Sequence, residues 1–310
     1  MTELSRKADF ALTELTSNGG VLNPDQNDTF IRLLIDQPTL LRSVRTVPMN
    51  TPQMKLNKIG FGSRILRVAP QGSIPYQQDN AFNNRWLLAQ DRAKPTTSQI
   101  TLTTNEVMAE VRIPYEVLED NIERGGMADT VLALIAERAA LDLEELLILG
   151  DTSSADAYLA LQNGVLKRLV SNVVDNAGAG ISVATFNNLK KALPTKYRRN
   201  LASMNFVSSM DRECDYRVAV SSRGTDLGDS ILTSNAPLPI LGVPLKSAAL
   251  MPNANMIFTD PQNIIFGVQR NVRIEQDRDI RSREIIIVLT ARIGIQIEQE
   301  DAAAKVINMA

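Results

Sequence analysis

Apolar residues recur along this chain with two different periods. Leu4, Ala8, Leu12 and Leu15 keep helical spacing up to Asn18-Gly19-Gly20, a helix stop and turn signal. Asp28 opens a second amphipathic stretch with Phe30, Leu33 and Leu34 on one face, and Pro38 interrupts it. Neither stretch can enclose a core, so residues 1–52 read as an arm. Residues 53–104 are rich in Gln, Asn, Gly and Pro, with strand-like pieces at Ile65-Leu66-Arg67-Val68 and Ile100-Thr101-Leu102. A structureless connection of that size is out of place in a compact domain, so the segment reads as a long, projecting two-stranded hairpin. Such a hairpin is marginal alone in water and needs a surface to lie on.

Period 2 takes over at Val107, Ala109, Val111 and Ile113, which alternate with Met108, Glu110 and Arg112 until Pro114 ends the strand. A long helix follows over 127–149. Its apolar stripe is Leu132, Ile135, Ala136, Ala139, Leu143, Leu146 and Leu147, with Asp129, Glu137, Arg138, Glu144 and Glu145 off it and Gly150 as its stop. From 160 to 266 the pattern is mixed: helices at 183–193 and 210–220, and short strands at Phe206-Val207, Met256-Ile257-Phe258 and Ile264-Ile265-Phe266. The loop Pro237 to Pro244 divides this part. Two long strands end the pattern. Val272 and Ile274 lead to a charged turn from Asp277 to Glu284, and Ile285 to Leu289 runs on into Ile293, Ile295 and Ile297.

Composition removes several chemistries. The 310 residues contain no histidine and one cysteine, Cys214. Ser-His-Asp and Cys-His catalysis, cysteine-rich metal sites and an internal disulfide framework are therefore out of reach. Carboxylate or lysine chemistry stays open. No apolar run approaches the ~20 residues that span a bilayer, and the N-terminus lacks a signal-peptide h-region, so the expectation is a protein without a membrane or secretory step. Charge is uneven. Residues 53–104 carry seven basic side chains against two acidic ones, and residues 106–151 carry twelve acidic against three basic. Opposite charge on adjacent segments suggests surfaces that meet.

Gly60-Phe61-Gly62 lacks the spacing of a phosphate loop and reads as a turn. Glu116, Glu119, Asp120 and Glu123 could be imagined holding a metal, but read as a solvated helix start. Lys190, Lys191, Lys196, Arg198 and Arg199 could touch nucleic acid phosphates, with only Tyr197 as an aromatic neighbour. Phe82 and Trp86 sit in a polar segment with no core of its own, as a local cluster or as anchors for a neighbouring subunit.

Six motifs in order give the chain a family resemblance: Gly19-Gly20-Val21-Leu22-Asn23-Pro24; the 53–104 hairpin; Val111 to Asp120; Ala136 to Asp142 with Leu149-Gly150-Asp151; Leu241-Gly242-Val243-Pro244; and Phe266-Gly267-Val268 with the charged tip and Ile-rich return strand. The chain resembles the tailed-bacteriophage major capsid family, whose fold is shared with encapsulin shells. The resemblance implies an α+β phage major capsid fold. Its parts would be an N-terminal arm (1–52), an extended β-hairpin loop (53–104), a peripheral domain with the long spine helix (105–159 and 267–300), and an axial domain (160–266 and 301–310). It further implies a homo-oligomer of pentamers and hexamers tiling an icosahedral shell around double-stranded DNA. A portal, a decoration protein and a separate scaffolding protein would be its partners, since only 18 residues precede Gly19. No cofactor, metal or catalytic residue is implied.

The candidate subunit contacts are Arg64, Arg67, Phe82, Arg85, Trp86 and Arg92 in the loop, Glu119, Asp120, Glu137, Glu144 and Glu145 around the spine, and Asp277, Arg278, Arg281 and Arg283 at the closing tip. Some family members cross-link a loop lysine to an asparagine at that tip. Lys55, Lys58 and Lys94 are available here, but the tip has no asparagine. The competing readings are an encapsulin-type compartment, another virion part, and an enzyme that relies on carboxylates alone.

Overall fold

The computed structural model describes residues 40–61, 65–66, 93–119, 127–199, 201–222 and 238–310. The two helices expected in the arm lie outside them. The chain divides into two compact units, Gln53–Leu102 and the remainder.

The larger unit holds two sheets. In the four-stranded sheet, β1 (Arg45–Pro48) runs parallel to β10 (Ile264–Asp279), which pairs antiparallel with β11 (Glu284–Ile297) and through it with β4 (Asn105–Pro114). Residues 1–52, expected as an arm, are described from residue 40 onward. Residues 45–48 are a sheet strand, and Leu40, Val44 and Met49 are buried. The long hairpin also differs from expectation. Ile264 to Asp279 is one strand, because bulges between Val268, Arg270 and Arg273 absorb the break in its apolar pattern. The expected boundary at 266/267 therefore falls inside a strand. The turn is shorter than expected, since Asp277, Arg278 and Asp279 still pair with Ile286, Ile285 and Glu284.

The six-stranded sheet has the order β5 (Val173–Asp175), β12 (Ala304–Ile307), β9 (Met256–Thr259), β6 (Asn205–Ser208), β8 (Val243–Ser247), β7 (Pro239–Ile240). Strand alternation makes it a partition between two cores. Phe206, Met256 and Phe258 face one core, shared with Phe186, Leu189 and Tyr216. Val207 and Ile257 face the other, shared with Ile264, Ile293, Ile295 and Ile297 of the four-stranded sheet. Each fully buried Ile or Phe contributes about 1.5–3 kcal/mol, so both faces of the partition are stabilising. Helix α4 (Val183–Ala192) is capped by the Ser182 hydroxyl and helix α5 (Met210–Ser221) by that of Ser209. At β7–β8, Leu241 and Gly242 both have positive φ, the conformation of a tight two-residue hairpin turn.

The short helix α1 (Tyr115–Glu119) leads to the spine helix α2 (Met127–Leu149), which at 1.5 Å per residue is ~35 Å long. The stripe read from its sequence needs correcting. Ala136 is exposed, whereas Leu141, Glu144, Leu146, Leu147 and Ile148 are buried. Leu146, Leu147 and Ile148, three consecutive positions, are all buried in the core shared with both sheets, so a single stripe does not describe the C-terminal turns. The spine stops at Gly150, where the chain later returns through Gly164 just before α3 (Val165–Arg168). The Gly164 N–H donates to the Gly150 carbonyl at 2.7 Å. A Cβ on Gly164 would stand 2.7 Å from the Leu147 carbonyl oxygen, and one on Gly150 would stand 2.4 Å from that of Gln162. Between them, Gln162 donates from Nε2 to the carbonyls of Thr103 and Ile293 and accepts the Ile295 N–H on Oε1.

In the smaller unit, β2 (Gln53–Gly60) and β3 (Thr96–Thr103) form a two-stranded sheet. The sequence reading put strand pieces at 65–68 and 100–102; the structure has strands at 53–60 and 96–103, and Arg67 and Val68 lie outside the described residues. Lys, Asn and Gln on alternate positions hid the first strand. No helix among the described residues is long and apolar enough to cross a membrane.

Replacing Gly164 by Ala pushes a methyl group into backbone atoms that have no rotamer to escape to. We expect Gly164→Ala to cost about 2–3 kcal/mol, read as a lower urea midpoint in equilibrium unfolding. The same substitution at Gly60, where an added Cβ meets nothing within 4 Å, should leave the midpoint unchanged.

Candidate subunit-contact surfaces

The closing hairpin builds the first surface. The 14 residues of β11 reach about 45 Å at the usual rise per residue, and the turn Ile280–Arg283 sits at the far end. The turn is pinned from within. Asp279 accepts the Arg281 N–H at 2.9 Å and the Ser282 hydroxyl at 3.0 Å, and these bonds hold its carboxyl below the ordinary range. Arg283 adopts a positive φ of 56°, and its carbonyl accepts the Tyr115 N–H at the start of α1. Asp277, Arg278, Arg281 and Arg283 are exposed, as their assignment as contact residues requires, and Ile280 among them is 85% exposed. Sequence reasoning passed over Ile280, although an isoleucine in a turn of Asp, Ser and Arg is the signal that could have found it.

The spine supplies the second surface, and the structure separates its three glutamates. Glu137 is exposed and Glu145 is half-buried. Glu144 is 2% exposed, and its Oε1 accepts the Leu40 N–H at 2.9 Å. Its reading as a residue off the apolar stripe is therefore corrected: it anchors the chain at Leu40 from inside. Beside it, the Tyr158 hydroxyl donates to the Asp142 carbonyl at 2.7 Å. Burial, followed by the Asp142 and Glu145 carboxylates, pushes that phenol far above its usual value. Arg138 and Asp142 make an exposed pair one turn apart, worth a few tenths of a kcal/mol. Glu119 closes α1. Arg64, Arg67, Phe82, Arg85, Trp86, Arg92 and Asp120 lie outside the described residues.

The basic run after α4 forms a third surface. Lys190 donates to the Leu241 carbonyl at 2.9 Å. Lys196 stands 4.6 Å over the Tyr197 ring and 3.9 Å from Asp301, while the Tyr197 hydroxyl accepts from Gln299. Lys191, Lys196 and Arg199 are exposed. At the other end of the same region, Glu300 accepts the N–H groups of Val170 and Ser171 and the Ser171 hydroxyl. The Val170 N–H contributes most to holding its carboxyl below the ordinary value.

A cavity of about 430 Å³ opens beside Ser43, Asn205 and Lys246, and the carboxylate on its wall, Glu213, pairs with Arg217 at 2.8 Å. Among the described residues no group of three or more acidic or cysteine side chains is placed to hold a metal ion. What the described residues offer is an exposed charged tip, exposed basic side chains after α4 and a separate two-stranded unit, the features of an interaction surface.

The comparisons give the class. The family model for the phage capsid family matches residues 18–309, and the chain belongs to that family. It is 42% identical over 319 residues to YqbE of Bacillus subtilis (strain 168), named as a prophage capsid protein, covering 99% of this chain and 98% of that one. Among solved structures, the capsid of the native GTA particle superposes with a TM-score of 0.67 at 19% identity, over 93% of this chain and 96% of that one. A Mycobacterium phage Bobi chain gives a TM-score of 0.65 at 13% identity over 98% and 99%. The SrpI encapsulin of Synechococcus elongatus PCC 7942 gives 0.61 at 11% identity over 97% and 96%. The expected α+β capsid fold is the observed one.

Two outcomes check the local chemistry. Glu144→Ala leaves the buried Leu40 N–H without its acceptor and should cost about 1–3 kcal/mol, whereas Glu144→Gln, which keeps an acceptor oxygen, should cost clearly less; both are read by urea denaturation. For Glu300 the folded-state pKa is the lower one, so its stabilisation is present above the ordinary glutamate value of 4.5 and fades as pH falls through the depressed folded value. The stability gap between the native chain and Glu300→Ala should therefore be full at pH 6 and shrink steadily below pH 4.5 in the same assay.

Proposed function

We propose that this chain is the major capsid protein of a tailed phage or prophage, assembling as pentamers and hexamers into an icosahedral shell that encloses the genome. The reading is carried by the separate hairpin unit. Among the described residues of that unit, Ile59, Phe61, Ile65 and Leu66 are each half exposed or more. Large apolar side chains exposed so close together in sequence support a partner's seat there. A second copy of the chain is the partner that family membership favours. In this reading the four-stranded sheet and spine helix form the peripheral domain and the six-stranded sheet forms the axial domain. The role is structural and needs no catalytic residue or cofactor. A portal, a scaffolding protein, a decoration protein and packaged double-stranded DNA complete the proposed partners, in a virion assembled in the host cytoplasm.

Charge gives the contact a mechanism. The loop segment 53–104 has an excess of five positive charges and the segment 106–151 an excess of nine negative ones. Laid across a neighbour, the loop would bring the two together, and such attraction weakens with salt. The encapsulin fold is equally compatible, so cargo decides between them. Electron microscopy of the purified protein should show closed shells, and shells formed in a phage-producing host should contain DNA and not a protein cargo. The charge-reversed variant Arg85→Glu/Arg92→Glu should stay folded by circular dichroism yet fail to form shells at low salt. Normal assembly of that variant at low salt would overturn the loop contact.

A further inference from the structure

Helix α5 carries a second uncovered surface that neither the loop nor the closing tip explains. It buries Tyr216 and Val220 in the core above the six-stranded sheet, where the Tyr216 ring meets Phe186 edge-on at 5.0 Å. Its opposite side should be polar, as on an ordinary surface helix. Instead Met210, Cys214 and Val218 follow one another at intervals of four. Met210 is 44% and Val218 64% exposed, and Cys214 is exposed too. Residues four apart share a face, so the three form a line about 12 Å long on the outside of the molecule.

The rim of this line is acidic. Asp211 and Asp215 flank it and are exposed. Asn253 donates to Asp211 at 2.8 Å and Arg212 to Asp215 at 2.9 Å, but the Arg212 side chain is largely covered, which leaves the carboxylates outermost. The complementary surface lies on the same chain. From 176 to 210 there is no Asp or Glu, while Lys190, Lys191, Lys196, Arg198 and Arg199 fall within ten residues of one another. Lys191, Lys196 and Arg199 are exposed, and Asp301 stands 3.9 Å from Lys196. Among the described residues no ion pair joins the acidic rim to the basic run within one chain.

We infer that the α5 face docks on the basic turn after α4 of a second copy, Asp211 and Asp215 meeting Lys191, Lys196 and Arg199 around a seam made by Met210, Cys214 and Val218. Such a contact is head-to-tail, because it joins two different patches, and repeated around an axis it closes a ring. The charges set the register and speed the encounter, while burial of the apolar line supplies affinity. The inference rests on the shell reading and names a contact within its rings.

Cys214 is the chain's single thiol and lies in the seam, so it reports on the contact directly. In assembled shells maleimide should label it about tenfold or more slowly than in dissociated subunits, because reaction then awaits local opening. Shells in which Cys214 labels at the free-subunit rate overturn this inference alone. A native chain that stays monomeric with a freely reactive Cys214 overturns the shell reading with it. Independently, Asp211→Lys/Asp215→Lys should fold, as judged by circular dichroism, but not assemble. Mixing it with Lys191→Glu/Lys196→Glu/Arg199→Glu should restore rings. Native-like assembly of the aspartate variant, or no recovery on mixing, overturns the pairing. So does a basic-run variant that still builds shells and only loses DNA content, since nucleic acid would then be the occupant of that turn.

Discussion

Where the spine helix ends, two glycines pass at a distance that no other residue permits. Gly164 donates to the Gly150 carbonyl at 2.7 Å, and a methyl group on either would enter the backbone of the other strand of the loop. That approach lets Gln162 reach β11 where it runs past the start of β4, taking the Ile295 N–H and giving partners to the carbonyls of Ile293 and Thr103. A long helix is thereby fixed to a sheet at its last turn, and the apolar turns Leu146 to Ile148 are drawn between the two sheets. An unpaired buried amide would cost about 1–3 kcal/mol at each of these points. The rest of the larger unit is arranged around this joint.

The six-stranded sheet extends the logic. Because successive side chains on β6 and β9 point to opposite faces, the same few residues close the core below and found the core above. Asn263 then ties the two connectors between the sheets. Its amide donates to the Gln299 carbonyl and its oxygen accepts the Gln299 N–H. The surfaces proposed for assembly lie outside this framework, on a turn, on a helix flank and in a separate hairpin unit. In the proposed reading a second copy completes the burial there.

Much of this was legible in the residues. The spine's limits at Met127 and Leu149, the alternating strand that Pro114 ends and both capped helices follow from periodicity and stop signals. What escaped did so for physical reasons. The strand Gln53–Gly60 carries Lys, Asn and Gln where a buried sheet would carry Val and Ile, because little covers it. Glu144 reads as a surface residue until the Leu40 N–H, 104 positions away in sequence, is seen to need it. Asp277 to Asp279 look like a turn because charge is usual there, yet their backbones still pair with an isoleucine strand. Of the contact candidates, the charged tip was legible as exposed polar sequence. The α5 line was not, since Met210, Cys214 and Val218 at intervals of four resemble a core stripe until the buried side of the helix is known.

Strand β12 lies inside the six-stranded sheet, parallel to β5 on one side and antiparallel to β9 on the other, and Ala304, Val306 and Met309 complete the upper core. A ribosome makes these residues after every other strand of that sheet. Without them β5 and β9 would have a gap between them and the core under α4 and α5 would lack one wall, so these last residues close the sheet on which both helices rest.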